Sequence, residues 1–180
     1  KSSYMPLVLQ SGEQIEINAM AERFQATFSI NNPSAQNSQL LRLRDLRLQG
    51  YSSEATLLAK HKAASEESDL LMGEAALKRF QTPLMAFADS SAYLYPALLA
   101  ARWVSPAGDY ERVPEFIFKL CETWRAKVPD NQYVIQVCEL AKPGTLPILT
   151  GEIMPSMPLP MLDGDTMQLH ALLGKKLTIL

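Results

Sequence analysis

With two cysteines and two histidines in 180 residues, the chain has little from which to build a metal centre. Neither His61 nor His170 has a Cys, Asp or Glu at ligand spacing on a helical face, so no zinc pattern is present. Cys121 and Cys138 match no metal or redox motif; they either pair or remain as thiols. Each falls on the apolar side of a predicted helix. Free cysteine is among the most buried residue types, so inert core thiols are the expected state. A surplus of one charge is also missing. Seventeen Lys and Arg against nineteen Asp and Glu leave a net charge of −2. Such a surface has no large field to attract nucleic acid or an anionic membrane. No apolar run approaches the ~20 residues of a membrane-crossing helix.

Phosphate loops are absent as well. Gly174-Lys175 has Leu169 where such a loop needs its first glycine, and Lys176 where it needs Ser or Thr for magnesium. No Gly-x-Gly-x-x-Gly follows a strand, and nothing singles out one Ser, His and Asp as a triad. The sequence therefore assigns no catalytic residue, cofactor site or metal site within these residues. What remains, 47% apolar and 20% charged, is ordinary globular chemistry, enough for one domain or a small one with a fragment of another.

The hydrophobic period divides the chain into residues 1–37, 38–150 and 151–180. In the first part, Tyr4 to Leu9, a turn at Ser11-Gly12, and Gln14 to Asn18 read as a hairpin. Phe24, Ala26, Phe28 and Ile30 alternate with Gln25, Thr27 and Ser29, which predicts a third half-buried strand. Asn31 to Ser38 is a loop of turn-formers around Pro33. Beyond it the period changes to about 3.6. Ser38 is the expected N-cap of a first helix with Leu40, Leu43 and Leu46 inward; Gly50-Tyr51-Ser52 interrupts it, or it runs on to His61. Leu70, Leu77, Phe80, Leu84 and Phe87 predict a second helix, kinked at Pro83. Ser90 or Ser91 caps a third, with Pro96 near its start and Leu98, Leu99 and Trp103 buried. A fourth starts near Val113-Pro114 and carries Phe116, Ile117, Leu120, Cys121 and Trp124. Pro129-Asp130 ends it and caps a fifth, with Val134, Val137, Cys138 and Ala141, which Pro143-Gly144 stops. Five helices with short loops predict an antiparallel bundle.

Three groups of polar or aromatic residues invite a functional reading. Glu66, Glu67 and Asp69 read best as a solvated first turn near the positive end of a helix. Arg42, Arg44 and Arg47 would suit an anionic partner, but 42 and 44 point apart on a helix, so a solvated surface is expected. Trp103 and Trp124 would suit a ligand groove, yet both sit on apolar stripes, and core packing is the stronger expectation.

The last thirty residues, Gly151 to Leu180, carry the most specific pattern. An apolar extended run from Met157 to Leu162 meets a turn at Asp163-Gly164 and a second run from Thr166 to Leu169. Asp-Gly between two such runs is a strong hairpin signal, because glycine tolerates the positive φ that primed turns need. A helical turn ending at Gly174 and a buried strand from Lys176 to Leu180 follow. Gly151, Pro155, Leu159, Asp163, Gly164, Leu169, Leu172, Gly174 and Lys175 together resemble the opening of a thioredoxin-like domain of the thiol-disulfide interchange and peroxiredoxin (alkyl hydroperoxide reductase–thiol-specific antioxidant) kind. His170 departs from it, standing where the family usually has Ser or Asp. The stretch Val128-Pro129-Asp130-Asn131, with Tyr133 and Val134, is similar to turns that lead into such domains in bacterial envelope proteins. The strands of the first part resemble the end of a small β-domain that often precedes them.

The resemblance implies an α+β chain: a small N-terminal antiparallel β segment, a bundle of about five helices, and the hairpin and strand of an incomplete thioredoxin-like domain. It implies that these residues are the non-catalytic N-terminal region of an envelope or periplasmic thiol-disulfide oxidoreductase. Its Cys-x-x-Cys would lie beyond Leu180, and its partners would be protein disulfides. The alternative is a helical protein-interaction module of the bacterial envelope without redox activity. An apolar strand at 176–180 without its full sheet also predicts a strand-swapped dimer or pairing with the Met157–Leu169 hairpin alone.

Overall fold

A computed structural model describes residues 4–63, 66–142, 145–147, 149, 151–153, 156–162 and 164–172, leaving aside the side chains of residues 61, 62, 170 and 172. Among these the chain is α+β, with two small antiparallel sheets and a bundle of five longer helices. The helices are α2 (Ala35–Lys62), α3 (Glu67–Ser90), α4 (Leu94–Val104), α5 (Pro114–Lys127) and α6 (Gln132–Leu140). Short connections turn each helix back on its neighbour, and their apolar stripes close one core. Leu43, Phe80, Leu84, Ala97, Ala100, Ile117, Leu120 and Val134 lie at its centre. Fully burying one such leucine or isoleucine contributes about 1.5–3 kcal/mol.

Helix α2 begins earlier than the sequence pattern suggests. Ser34, rather than Ser38, caps it, its hydroxyl accepting the Asn37 N–H at 3.3 Å. Gly50 does not interrupt it. A Cβ at that position would stand 2.9 Å from Cδ2 of Phe80, so the glycine admits the ring between α2 and α3. A bidentate ion pair ties the same two helices, with Arg79 Nε and Nη2 donating to Glu54 Oε1 and Oε2 at 3.1 and 2.9 Å. In α3, Phe80, Leu84 and Phe87 are buried as their spacing requires, and the helix continues through Pro83. Leu70 is not part of that stripe; it is 44% exposed, and Gly73 and Ala76 take the buried face of the first turns.

Two caps also move. Tyr93, not Ser90 or Ser91, directly precedes α4, and the Ser91 hydroxyl accepts the Tyr93 N–H at 3.2 Å. Asn131, not Asp130, caps α6, accepting the Tyr133 N–H at 3.0 Å.

Cys121 and Cys138 are buried, as expected, but they are not thiols. They form a disulfide with Cα atoms 5.0 Å apart. Each cysteine lies on its helix's core side, and α5 and α6 are joined by only a short turn. The apolar faces that bury them are therefore also the faces that bring them together.

The N-terminal part departs most from expectation. Residues 4–10 contain no regular structure and pair with no strand. Strand β1 (Ile17–Asn18) pairs antiparallel with β2 (Ser29–Ile30), Ile17 opposite Ile30. Of the third strand expected from Phe24 to Ile30, only Ser29–Ile30 is strand; Phe24–Thr27 is the single-turn helix α1, preceded by a 3₁₀ turn at Ala21–Arg23. An apolar alternation this short places Phe24 and Phe28 four residues apart, which also suits one helical turn. Their rings lie 5.8 Å apart, and Phe28 N–H donates to Phe24 O at 3.0 Å.

At the other end, β3 (Pro158–Pro160) pairs antiparallel with β4 (Thr166–Gln168), and α7 (Leu169–Leu172) follows directly. Gly164 has φ +90° in the turn between the strands. Pro143-Gly144, Asp163, Gly174, the strand expected at Lys176 to Leu180 and any strand swap through it lie outside the described residues.

Candidate functional site

Beside the face it gives to the shared core, helix α2 has a second that is only partly covered, its Tyr51 46% exposed. Arg44, Arg47, Leu48 and Tyr51 recur at i, i+3, i+4 and i+7, which places them in one row along the helix. They line a cavity of about 350 Å³ whose other walls are Tyr4, Pro6, Gln25 and Phe28 from the N-terminal part and Trp103 from α4.

Polar bonds hold the N-terminal segment over this face. Asn37 is wholly buried at the start of α2, and its amide clamps one backbone residue: Val8 N–H donates to Oδ1 at 3.0 Å, and Nδ2 donates to Val8 O at 2.9 Å. Further along the segment, Trp103 Nε1 donates to the Tyr4 hydroxyl at 2.9 Å, and Gln25 Nε2 to Tyr4 O at 3.3 Å. The Asn37 and Trp103 bonds satisfy groups on buried side chains, whereas the Gln25 bond is exposed.

The two arginines of the cavity are held differently. Arg44 is committed. Its Nη1 donates to Phe28 O, its guanidinium lies 4.5 Å from the Phe28 ring centroid, and its Nε donates to Asp45 Oδ1 at 2.8 Å. Arg47 lies 4.5 Å from the Trp103 ring centroid and 5.8 Å from that of Tyr51. Among the described residues it has no carboxylate partner. Among the described residues, no Asp or Glu lines the cavity.

Of the arginines considered from sequence, only Arg42 is the exposed surface residue expected. Comparing 42 with 44 finds opposite faces. The comparison that matters is 44 with 47 and 51, a spacing that was legible but carried no weight until the N-terminal segment was seen to cover it. Trp103 is 5% exposed and so packs as expected, yet its ring also forms a wall of the cavity. Trp124 is a core residue, 4% exposed, with Lys127 Nζ 4.4 Å from its ring centroid and no partner for its Nε1 among the described residues. Glu66 and Glu67 are exposed at the start of α3, as a solvated first turn should be, while Asp69 is half-buried.

A second concavity, between α4, α5 and α6, includes Tyr95, Tyr110, Tyr133 and Arg102. Burial raises the Tyr110 phenol above its ordinary value against the opposing pull of Arg102, so it stays protonated at neutral pH. Among the described residues, no three His, Cys, Asp or Glu side chains converge as metal ligands, and no helix is long and apolar enough to cross a membrane. No protein-family model matches the chain, and no curated protein or solved structure matches it either.

Proposed function

We propose that these residues form a non-catalytic helical region of a thioredoxin-like thiol-disulfide oxidoreductase of the cell envelope. The observation that carries this reading is the β3–β4 hairpin, turned at Gly164 with φ +90° and followed at once by α7, the order of elements that opens such a domain. The buried Cys121–Cys138 disulfide supports an oxidising compartment such as the periplasm, since structural disulfides persist there and are rare in a reducing cytosol. It also removes both cysteines from redox chemistry, because exchange requires an accessible thiolate. In this reading the reactive pair belongs to a Cys-x-x-Cys outside these residues.

The encoding gene, read past the codon for Leu180, should specify a Cys-x-x-Cys at the start of the next helix. The full-length protein should then reduce insulin in the presence of dithiothreitol, and residues 1–180 should not. Absence of the cysteine pair would overturn the proposal, and so would insulin reduction by the shorter chain that Cys121→Ser abolishes. A second reading, the helical interaction module, has one observation in its favour. Leu70, Leu71 and Met72, successive residues in the first turns of α3, are 44, 65 and 46% exposed, apolar area around the helix that a partner would cover.

A further inference from the structure

We infer that the cavity between α2, Trp103 and the N-terminal segment is a binding site for a small monocarboxylate with a flat apolar body. The ligand charge follows from the two arginines. Arg44 is neutralised by Asp45 and occupied by Phe28 O, so it offers no spare charge. Arg47 is held between two aromatic rings and has no carboxylate partner among the described residues. A guanidinium held against a ring interacts through its face, while its N–H donors lie in its plane, so stacking leaves them free for a carboxylate. Among the described lining residues one cation is uncommitted, which matches a monoanion. A dianionic phosphate would need a second.

The walls define the rest of the ligand. Pro6, Phe28, Leu48, Tyr51 and Trp103 are apolar or aromatic, and about 350 Å³ lies within the range of small-molecule sites. Tyr4 supplies a second directional contact. Its hydroxyl oxygen already accepts from Trp103 Nε1, which leaves its own proton to donate. A carboxylate between Arg47 and Tyr4 would therefore accept from both, with its apolar body against the rings.

The test is a titration of the whole chain with phenylacetate, read by the indole N–H resonances in NMR. The two tryptophan signals are assigned with Trp124→Phe, because Trp124 lies in the core away from the cavity. The Trp103 signal should move along a saturating curve. Phenylacetamide, equal in shape but uncharged, should bind roughly ten-fold more weakly, as expected for losing a charge-assisted hydrogen bond. Arg47→Met should weaken phenylacetate by a similar factor without loss of helical circular dichroism, Arg47→Lys should recover part of it, and Arg42→Met should leave it unchanged. Equal binding of acid and amide to the native chain would overturn the assignment whatever the variants do. A Trp103 signal that does not saturate, or equal weakening by Arg42→Met and Arg47→Met, would also overturn it.

Discussion

The two ends of the helical bundle are closed by different physics. Where α5 meets α6, Phe116, Ile117, Leu120, Trp124 and Val134 fill the space, and the Cys121–Cys138 disulfide crosses it. Among the described residues, its one buried side-chain polar atom without a partner is Nε1 of Trp124. Where α2 meets the N-terminal segment, polar groups carry the closure: the Asn37 amide on Val8, Arg44 on Phe28 O, and Trp103 on the Tyr4 hydroxyl. That end keeps a cavity of about 350 Å³. Apolar packing has no directional requirement and tends to eliminate space, whereas hydrogen bonds fix a geometry and can hold a space open. The first end is therefore closed by packing and a covalent cross-link, and the second by directional bonds around a space.

The sharpest way to break this contrast is to remove the covalent part of the first end. The disulfide closes a loop with a sequence separation of 17. Cross-links of that span contribute about 3 kcal/mol. Cys121→Ala with Cys138→Ala should lower the melting temperature by on the order of 10 °C, given about 2–4 °C per kcal/mol at this chain length. Assayed in denaturant without reductant, the native chain should show no free thiol. Two titratable thiols would restore the original expectation from sequence.

At the second end the largest effect should come from Asn37→Ala. It strands the N–H and C=O of Val8 and should cost about 2 kcal/mol. Because the bonds it removes hold one segment, the loss should be local. Limited proteolysis should cut near residues 4–10 well before the helices melt. Cooperative unfolding of the whole chain, with no early cleavage, would mean that the segment belongs to the core after all.

Between the two ends, Gly50→Ala probes the α2–α3 contact. Alanine favours the helix by about 1 kcal/mol over glycine. Its Cβ would, however, meet Phe80 Cδ2 at 2.9 Å, and the ring is confined within the core. Overpacking of this kind costs about 1–3 kcal/mol, so the net change should be a loss of about 1 kcal/mol by denaturant unfolding. A gain in stability would show that the two helices can separate freely.

The smallest effect should lie on the surface. Hydrogen bonds from Arg79 hold the Glu54 carboxyl below its ordinary value. A depressed carboxyl stabilises the folded chain above its unfolded-state value, and that contribution is lost as pH falls through the folded one. Glu54→Gln should therefore lower stability slightly at neutral pH, leave the acid end unchanged and so flatten the slope between them, a small effect as surface ion pairs usually give. A large loss at neutral pH would mark the pair as structural.

The bundle was legible because its signal is local and repeated. Val113, Phe116, Ile117, Leu120, Cys121 and Trp124 return to one face every turn, and no competing pattern fits that spacing. The hairpin at β3–β4 was legible from Asp163-Gly164 between two extended runs, since glycine accepts the positive φ that Gly164 adopts in the turn. The N-terminal part was not. Phe24, Ala26, Phe28 and Ile30 fit a strand and also a single helical turn, and over so few residues periodicity cannot choose between them.

By itself the sequence determined that a bundle of about five longer helices forms, most of the faces they bury, and that both cysteines lie inside. Those properties depend on spacing along one chain segment. Only the tertiary structure decided that Cys121 meets Cys138, that Gly50 admits Phe80, and that the residue 4–10 segment covers one row of α2. Each is a meeting of residues distant in sequence, set by how helices cross and where a side-chain amide such as Asn37 catches a backbone. Periodicity tells a face from its opposite, but it does not say what will come to lie against it.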